Sequence, residues 1–379
     1  MVLVAGGQGT RLGFDHPKGL YPIGPVSGCS LLQILCEKVL AAQRRYGVLL
    51  PLYIMTSRGT HDETCAFLQR HSYFGLAPAQ VYVFRQGSLP AVDAQNGRVL
   101  LESRHSLALA PDGHGGLLRA LASQGALQDM HARGLKRLFY MQVDNPLVAL
   151  GEPLFLGWHL LADSEVSTQV VAKQSPEERV GNVVFVDGHV RIIEYSDLPA
   201  EAAARRNPDG SLVLWAGNIA VHLFELALLE RFSSPQATLP FHVARKKVPY
   251  IDSSGKLVQP QHENACKFEQ FIFDVLPHAR NALVVEVEAE EAFAPLKNAP
   301  GAPRDAPEHV QAHMVRLHRR WLEAAGARVA PGVKVELSPL AALSADDLSG
   351  RVPRSWQIAS DTYVTAQPDG TLCWQGGAA

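Results

Sequence analysis

The chain has 379 residues, 35 of them Lys or Arg and 37 Asp or Glu, giving a formal net charge of −2. With 47% apolar and 19% charged residues it is not a mainly disordered chain, and its near-zero charge argues against electrostatic wrapping of nucleic acid. Apolar runs stop well short of the ~20 residues of a membrane span, and five scattered cysteines (Cys29, Cys36, Cys65, Cys266, Cys373) lack zinc-site or disulfide spacing, so a cytoplasmic globular enzyme is expected.

In chain order, Met1–Val4 reads as a strand, followed by a glycine-dense loop to Gly13. Ser30 opens a helix with Leu31, Ile34, Leu35 and Val39 on one stripe, and Gln33 is spaced for a capping box. Leu52–Met55 reads as a strand, Asp62–Gln69 as a helix, Val81–Phe84 as a strand and Leu117–His131 as a helix. Leu138–Val143 is a strand that ends in Asp144. Strands alternating with helices imply parallel pairing with helices on both faces, a doubly wound, Rossmann-like α/β core. Farther on, Val166–Ala172 reads as a strand, and Asn182–Val186 and His189–Glu194 pair through an Asp187-Gly188 turn. Phe268–Leu276 reads as a helix and Ala282–Glu288 as a strand. The proline-rich stretch Pro295–Pro307 marks a boundary between a large domain, 1–297, and a smaller C-terminal domain, 298–379, that begins with a helix over Glu308–Ala325.

The loop Ala5-Gly6-Gly7-Gln8-Gly9-Thr10-Arg11-Leu12-Gly13 follows its strand directly. Without Cβ atoms, its backbone N–H groups can approach phosphate or base oxygens, and Arg11 and Lys18 add positive charge nearby. The spacing is neither that of a P-loop nor a GxGxxG fingerprint, and a tight turn with no ligand is the plain alternative.

This loop, with Pro17-Lys18-Gly19, resembles the signature of sugar-nucleotide pyrophosphorylases. Further segments follow in order: Tyr73-Phe74-Gly75, Arg85-Gln86-Gly87, Ala110-Pro111-Asp112-Gly113, Val143-Asp144-Asn145, Glu194-Tyr195-Ser196, Ala216-Gly217-Asn218-Ile219 and Pro295-Leu296-Lys297-Asn298. Together they are similar to the eukaryotic UDP-N-acetylhexosamine pyrophosphorylases, from Met1 to about Leu340. The resemblance implies a GT-A-like nucleotidyltransferase core. It also implies attack of a hexosamine 1-phosphate oxygen on the α-phosphorus of UTP, with Mg²⁺ as cofactor.

Residue by residue, the resemblance places Ala5, Gly6 and Gly7 at the uridine backbone contacts and Gln86 at the uracil edge, with Gly113 where a side chain would collide with the base. Arg11, Lys18 and Lys297 fall at the catalytic cations and Lys267 at a third phosphate-contacting lysine. Asp144 falls at the Mg²⁺ carboxylate, for which a helix N-cap is the plain alternative. Glu194, Tyr195 and Asn218 match sugar contacts. Phe271 and Phe273 match aromatics near the sugar, although on periodicity alone they could equally be core.

Two departures stand out. His114 replaces the asparagine of the family's PDGNGG segment, which points to altered sugar preference or weakened turnover. The helical segment that family members carry before the glycine loop is absent from this sequence. The leading rival is therefore a UDP-sugar-binding homologue with a regulatory or scaffold role, and a second rival uses another hexose such as glucose. Pairing of copies through the C-terminal domain is left open. His309 and His313 stand at i and i+4 without a third ligand, and Arg245-Lys246-Lys247 and Arg319-Arg320 read most simply as solvated helix faces.

Overall fold

A computed structural model describes residues 1–233, 239–353 and 355–376. Three short apolar runs, β1 (Val2–Val4), β2 (Leu52–Thr56) and β3 (Val81–Arg85), line up in parallel, and β4 (Arg137–Gln142) joins β1 on its other edge, also in parallel. Side-chain alternation assigns the faces. Leu3, Ile54, Phe139 and Met141 enter one core with α1 (Leu31–Tyr46). Val2, Tyr53, Met55, Leu138 and Tyr140 enter the other, with α3 (Leu117–Ser123) and α4 (Ala126–Ala132). This half is doubly wound, and α2 (His61–Arg70) connects β2 to β3.

Beyond β4 the sheet turns antiparallel. β5 (Val166–Ala172), β6 (Gly181–Val186), β7 (His189–Ile193), the ten-residue β8 (Ala216–Glu225) and β9 (Ala282–Glu286) extend it. β8 runs antiparallel to β4 over His222–Glu225, to β6 at Gly217–Asn218 and to β5 along most of its length, while β9 lies parallel on the outer edge of β5. The expected parallel pairing thus holds for β1 to β4, and the whole is a mixed sheet of order β7-β6-β8-β4-β1-β2-β3.

Three local expectations also change. Ser30 Oγ accepts from the Gln33 N–H at 3.1 Å, but the Gln33 amide donates to Glu37 instead of reaching back, so only half of the capping box forms. Leu117–His131 is two helices broken at Gly125, whose φ of +79° ends the first. The helix expected over Phe268–Leu276 is instead the end of a strand, Ala265–Glu269, and a 3-10 turn, Ile272–His278. Phe268 and Glu269 are held by pairing with Val243 and His242, and Pro277 removes a donor.

The helix α5 (Pro307–Ala324) is shared by two cores. Val310, Met314 and Leu317 pack on the large sheet, whereas Leu322 enters a separate cluster with Leu337, Leu348, Trp356 and Val364. Polar contacts join the same regions: Glu336 accepts from the N–H groups of Val26 and Ser27, and Ser338 donates to Glu37 at 2.8 Å. Among the described residues, no helix is long and apolar enough to cross a membrane.

Candidate active site

The glycine loop leaves the C-terminal end of β1, where open α/β sheets place ligands. Ala5 N–H ties its start to Met55 O of β2 at 2.8 Å, and two bonds fold it on itself, Gly9 N–H to His16 O at 2.8 Å and Lys18 N–H to Gly7 O at 3.0 Å. Lys18 thereby reaches the strand ends, with Nζ 3.7 Å from Asp144 Oδ2 and donating to the Leu296 carbonyl at 3.3 Å. The Leu296 N–H in turn donates to the Asp144 carbonyl at 2.9 Å, which carries Lys297 to the same rim. Lys297 Nζ donates to the Arg179 carbonyl at 3.1 Å and lies 5.7 Å from the Phe293 ring centroid.

These groups open onto a cleft of about 670 Å³. Its floor follows strand periodicity: Tyr140 and Gln142 from β4, then Asp144, and Asn218, Ala220 and His222 from β8. The Asn218 Oδ1 accepts from the Ala220 N–H at 3.0 Å, so its amide N–H groups are the donors it retains. The Glu194 carboxyl lies above its ordinary pKa because burial outweighs the pull of Lys297, while Tyr195 is 47% exposed at the rim.

One wall is made of rings. His114 stacks on Phe271 with centroids 5.0 Å apart and meets Phe273 at 5.4 Å. Its Nδ1 accepts from the Ile272 N–H at 3.1 Å, so its proton sits on Nε2. Burial, helped by the charge of His242, pushes its pKa down to about 4 and keeps it neutral. His242, which sequence reasoning missed, stacks on the opposite side of the ring group at 4.2 Å from Phe271. Its Nε2 bonds Asp274 at 2.9 Å, and its Nδ1 lies 3.6 Å from Asp197. A histidine on a strand edge carries no sequence signal that separates it from a surface one.

Beside the cleft, Gly6 and Gln86 are in contact: a Cβ on Gly6 would overlap Gln86 Oε1, and the Gln86 amide donates to Asp112 at 3.4 Å. Ala5, Gly6, Gly7, Gln86 and Gly113 are thus brought to one place. Gly113 has a further reason to be glycine. At φ +83° a Cβ there would strike the Gln270 backbone, including its N at 2.8 Å, so the chain's own packing requires the glycine. Lys267 is not brought into the cleft lining; it pairs opposite Ala244, and Glu269 two residues on lines the cleft instead. Arg245 and Lys246, expected on a solvated helix, lie on the strand His242–Lys246 and line the cleft. Arg319 and Arg320 are structural, the first donating to the carbonyls of Val329, Ala330 and Val333 and the second pairing with Glu291.

Among the described residues no group of three His, Cys, Asp or Glu side chains could hold a metal on its own. Asp144 is a part-buried carboxylate facing Lys18. That donor set fits Mg²⁺, which takes one or two carboxylates and fills its shell with water and phosphate oxygens.

Residues 1–331 match the family model described as UTP–glucose-1-phosphate uridylyltransferase. The chain is 43% identical over 333 residues to the UDP-N-acetylhexosamine pyrophosphorylase-like protein 1 of Xenopus tropicalis, with 86% of this chain and 65% of the relative covered. It is 40% identical over 356 residues to the UDP-N-acetylglucosamine pyrophosphorylase of Saccharomyces cerevisiae, with 92% and 75% covered. The crystal structure of the uridine diphosphate N-acetylglucosamine pyrophosphorylase of Trypanosoma brucei in complex with inhibitor superposes with a TM-score of 0.80 at 28% identity, covering 95% of this chain and 78% of that one. The chain spans just under two thirds of the length of the Xenopus and human pyrophosphorylase-like relatives, 65% and 66%.

Proposed function

The chain belongs to the UTP–glucose-1-phosphate uridylyltransferase family, and we propose that it joins UTP to N-acetylglucosamine 1-phosphate, with N-acetylgalactosamine 1-phosphate as a second sugar, to give a UDP-N-acetylhexosamine and pyrophosphate. The observation that carries this reading is one cleft that combines Arg11, Lys18, Lys297 and Asp144 with a wall of rings, Glu194 and Asn218. The first set suits polyphosphate, the second a hexose.

In the proposed reaction an oxygen of the sugar phosphate attacks the α-phosphorus of UTP. The bond from that phosphorus to the bridging oxygen breaks, and pyrophosphate leaves with the electron pair. No covalent nucleophile is needed, because the barrier lies in bringing polyanions together in line. Arg11, Lys18 and Lys297 would neutralise the phosphates in a partly buried cleft, where charge acts more strongly than in water. Asp144 would hold Mg²⁺, which when bound supplies Lewis-acid neutralisation of the phosphate charge. The backbone of Ala5, Gly6 and Gly7, with Gln86 and Gly113, would receive the uridine, the Gln86 amide offering both a donor and an acceptor to the uracil edge. Glu194, Tyr195, Asn218, His114, Phe271 and Phe273 would hold the sugar. All five cysteines are free, which suits a reducing compartment, and the cytoplasm is the compartment proposed.

The test is pyrophosphate release by the purified chain with UTP, Mg²⁺ and each of three sugars: the N-acetylglucosamine, N-acetylgalactosamine and glucose 1-phosphates. Release with the N-acetyl sugars that disappears in Lys297→Ala supports the reading. His114 favours one second reading, a UDP-sugar-binding homologue. Tight UDP-N-acetylglucosamine binding without any release would establish that instead.

A further inference from the structure

One buried group on the cleft floor has no part in the chemistry above. His222 is 1% exposed and stands in the β8 row with Asn218 and Ala220. Neither Nδ1 nor Nε2 has a protein partner among the described residues. Its neighbours are rings, with Tyr140 and Phe224 each 5.4 Å away between centroids. The Tyr140 hydroxyl is already engaged, accepting from Gln142 Nε2 at 3.2 Å. Burial, and to a lesser extent His114, pushes the His222 pKa down to about 3. The neutral imidazole, buried in the cleft lining, therefore keeps one N–H donor and one bare acceptor nitrogen uncommitted.

Buried polar atoms without partners are uncommon and destabilising, and those that persist often serve a ligand. Three of the other polar groups of this cleft are one-sided. His114 spends Nδ1 on the Ile272 N–H and presents only Nε2–H, Asn218 presents amide N–H groups, and Glu194 presents carboxyl oxygens. His222 alone among them offers both a donor and an acceptor within an apolar ring setting. An N-acyl substituent matches that setting, because it carries an N–H, a carbonyl and an alkyl group together. A hydroxyl would leave the ring surfaces uncovered.

We propose that His222 is a substrate-positioning residue that reads the N-acyl group of the hexosamine and so separates it from a plain hexose. This rests on the uridylyltransferase reading of the same cleft.

The experiment compares the full chain with His222→Phe and His222→Gln. It measures the melting midpoint and KM for UTP, N-acetylglucosamine 1-phosphate and glucose 1-phosphate. Phenylalanine keeps the ring and removes both unpartnered nitrogens. The expected result for His222→Phe is an unchanged or raised midpoint, a tenfold or greater rise in KM for the N-acetyl sugar, and KM values within twofold for UTP and the glucose phosphate. Glutamine, which restores a donor and an acceptor, should recover most of the loss. All KM values within twofold of the parent would overturn the proposal. So would a lowered midpoint with every KM raised together and no rescue by glutamine, the mark of a merely structural role.

If the parent chain forms no UDP-sugar at all, the transferase reading fails separately. Calorimetric binding of UDP-N-acetylglucosamine and UMP then decides the role of His222. A tenfold weaker UDP-sugar affinity in His222→Phe with UMP unchanged supports it, and equal affinities overturn it. A parent that binds neither overturns both readings.

Discussion

The backbone N–H of Ile272 donates to Nδ1 of His114 at 3.1 Å while the His114 ring stacks on Phe271. One hydrogen bond thus fixes both the ring's orientation and its tautomer, and ties the Asp112–Gly116 loop to the 3-10 turn that starts at Ile272. Replacing His114 by Phe keeps the stack but leaves a buried N–H without its acceptor. The expected cost is about 1–3 kcal/mol, read as a lower urea midpoint. An unchanged midpoint would mean that this bond does not anchor the loop. His114→Asn should shift the preference among the three sugar 1-phosphates, and identical rankings would remove His114 from the specificity account.

Acid should destabilise the chain earlier than its carboxylates alone would predict. Burial holds His114 at a pKa of about 4 and His222 and His318 at about 3, each well below the ordinary 6.5. Between those values and 6.5 the unfolded chain binds protons that the folded chain does not. Stability is therefore fully present above about pH 6.5 and falls as the pH drops toward 4. Each group contributes a slope of about 1.4 kcal/mol per pH unit. The raised carboxyls of Glu37 and Glu194 act in the opposite direction. The difference between the parent and His222→Phe isolates one imidazole. A parallel pair of urea-midpoint curves from pH 7 to 4.5 would contradict this account.

Charge in the cleft should matter for rate more than for folding. Asp144→Asn keeps the size of the side chain and removes the charge opposite Lys18. The expected outcome is a fall in kcat of about 10²–10³, as for other single electrostatic contacts to a reacting phosphate or oxyanion. The Mg²⁺ concentration for half-maximal rate should rise. A normal rate at ordinary Mg²⁺ would move the metal site away from Asp144.

Two glycines should respond in opposite ways. At Gly113, φ is +83° and an added Cβ meets main-chain atoms of Gln270 that cannot move alone. Gly113→Ala should lose several kcal/mol of stability, as strained backbone positions do (~2 kcal/mol or more). At Gly6 the main obstruction is the end of the Gln86 side chain, which can swing away, with the Ser57 backbone N at 3.3 Å a tight but lesser contact. Gly6→Ala should keep its melting midpoint and raise KM for UTP. Equal destabilisation of both variants would show that Gly6, too, is a folding requirement.

Much of this site could be read in the sequence because its residues sit at fixed offsets within short segments. The glycine loop, Asp144 at the end of an apolar strand, and Lys297 in Pro295–Asn298 all reach one cleft. What could not be read depends on contacts between distant segments. The break at Gly125 needs a positive φ that no local pattern demands, and the Ala265–Glu269 strand forms because its partner His242–Lys246 is there. That pairing also carries Arg245 and Lys246 to the cleft and keeps Lys267 out of its lining. His242 and His222 were missed for the same reason. One is defined by Asp274 and Phe271, the other by the Tyr140 ring on a neighbouring strand.

The most direct test of the central claim is ³¹P NMR of the purified chain with UTP, Mg²⁺ and N-acetylglucosamine 1-phosphate. The account predicts that the UTP γ-phosphate signal decays while UDP-sugar and pyrophosphate signals grow in equal amounts. Growth of inorganic phosphate without a UDP-sugar, or an unchanged spectrum from a folded chain that binds UTP, would contradict it.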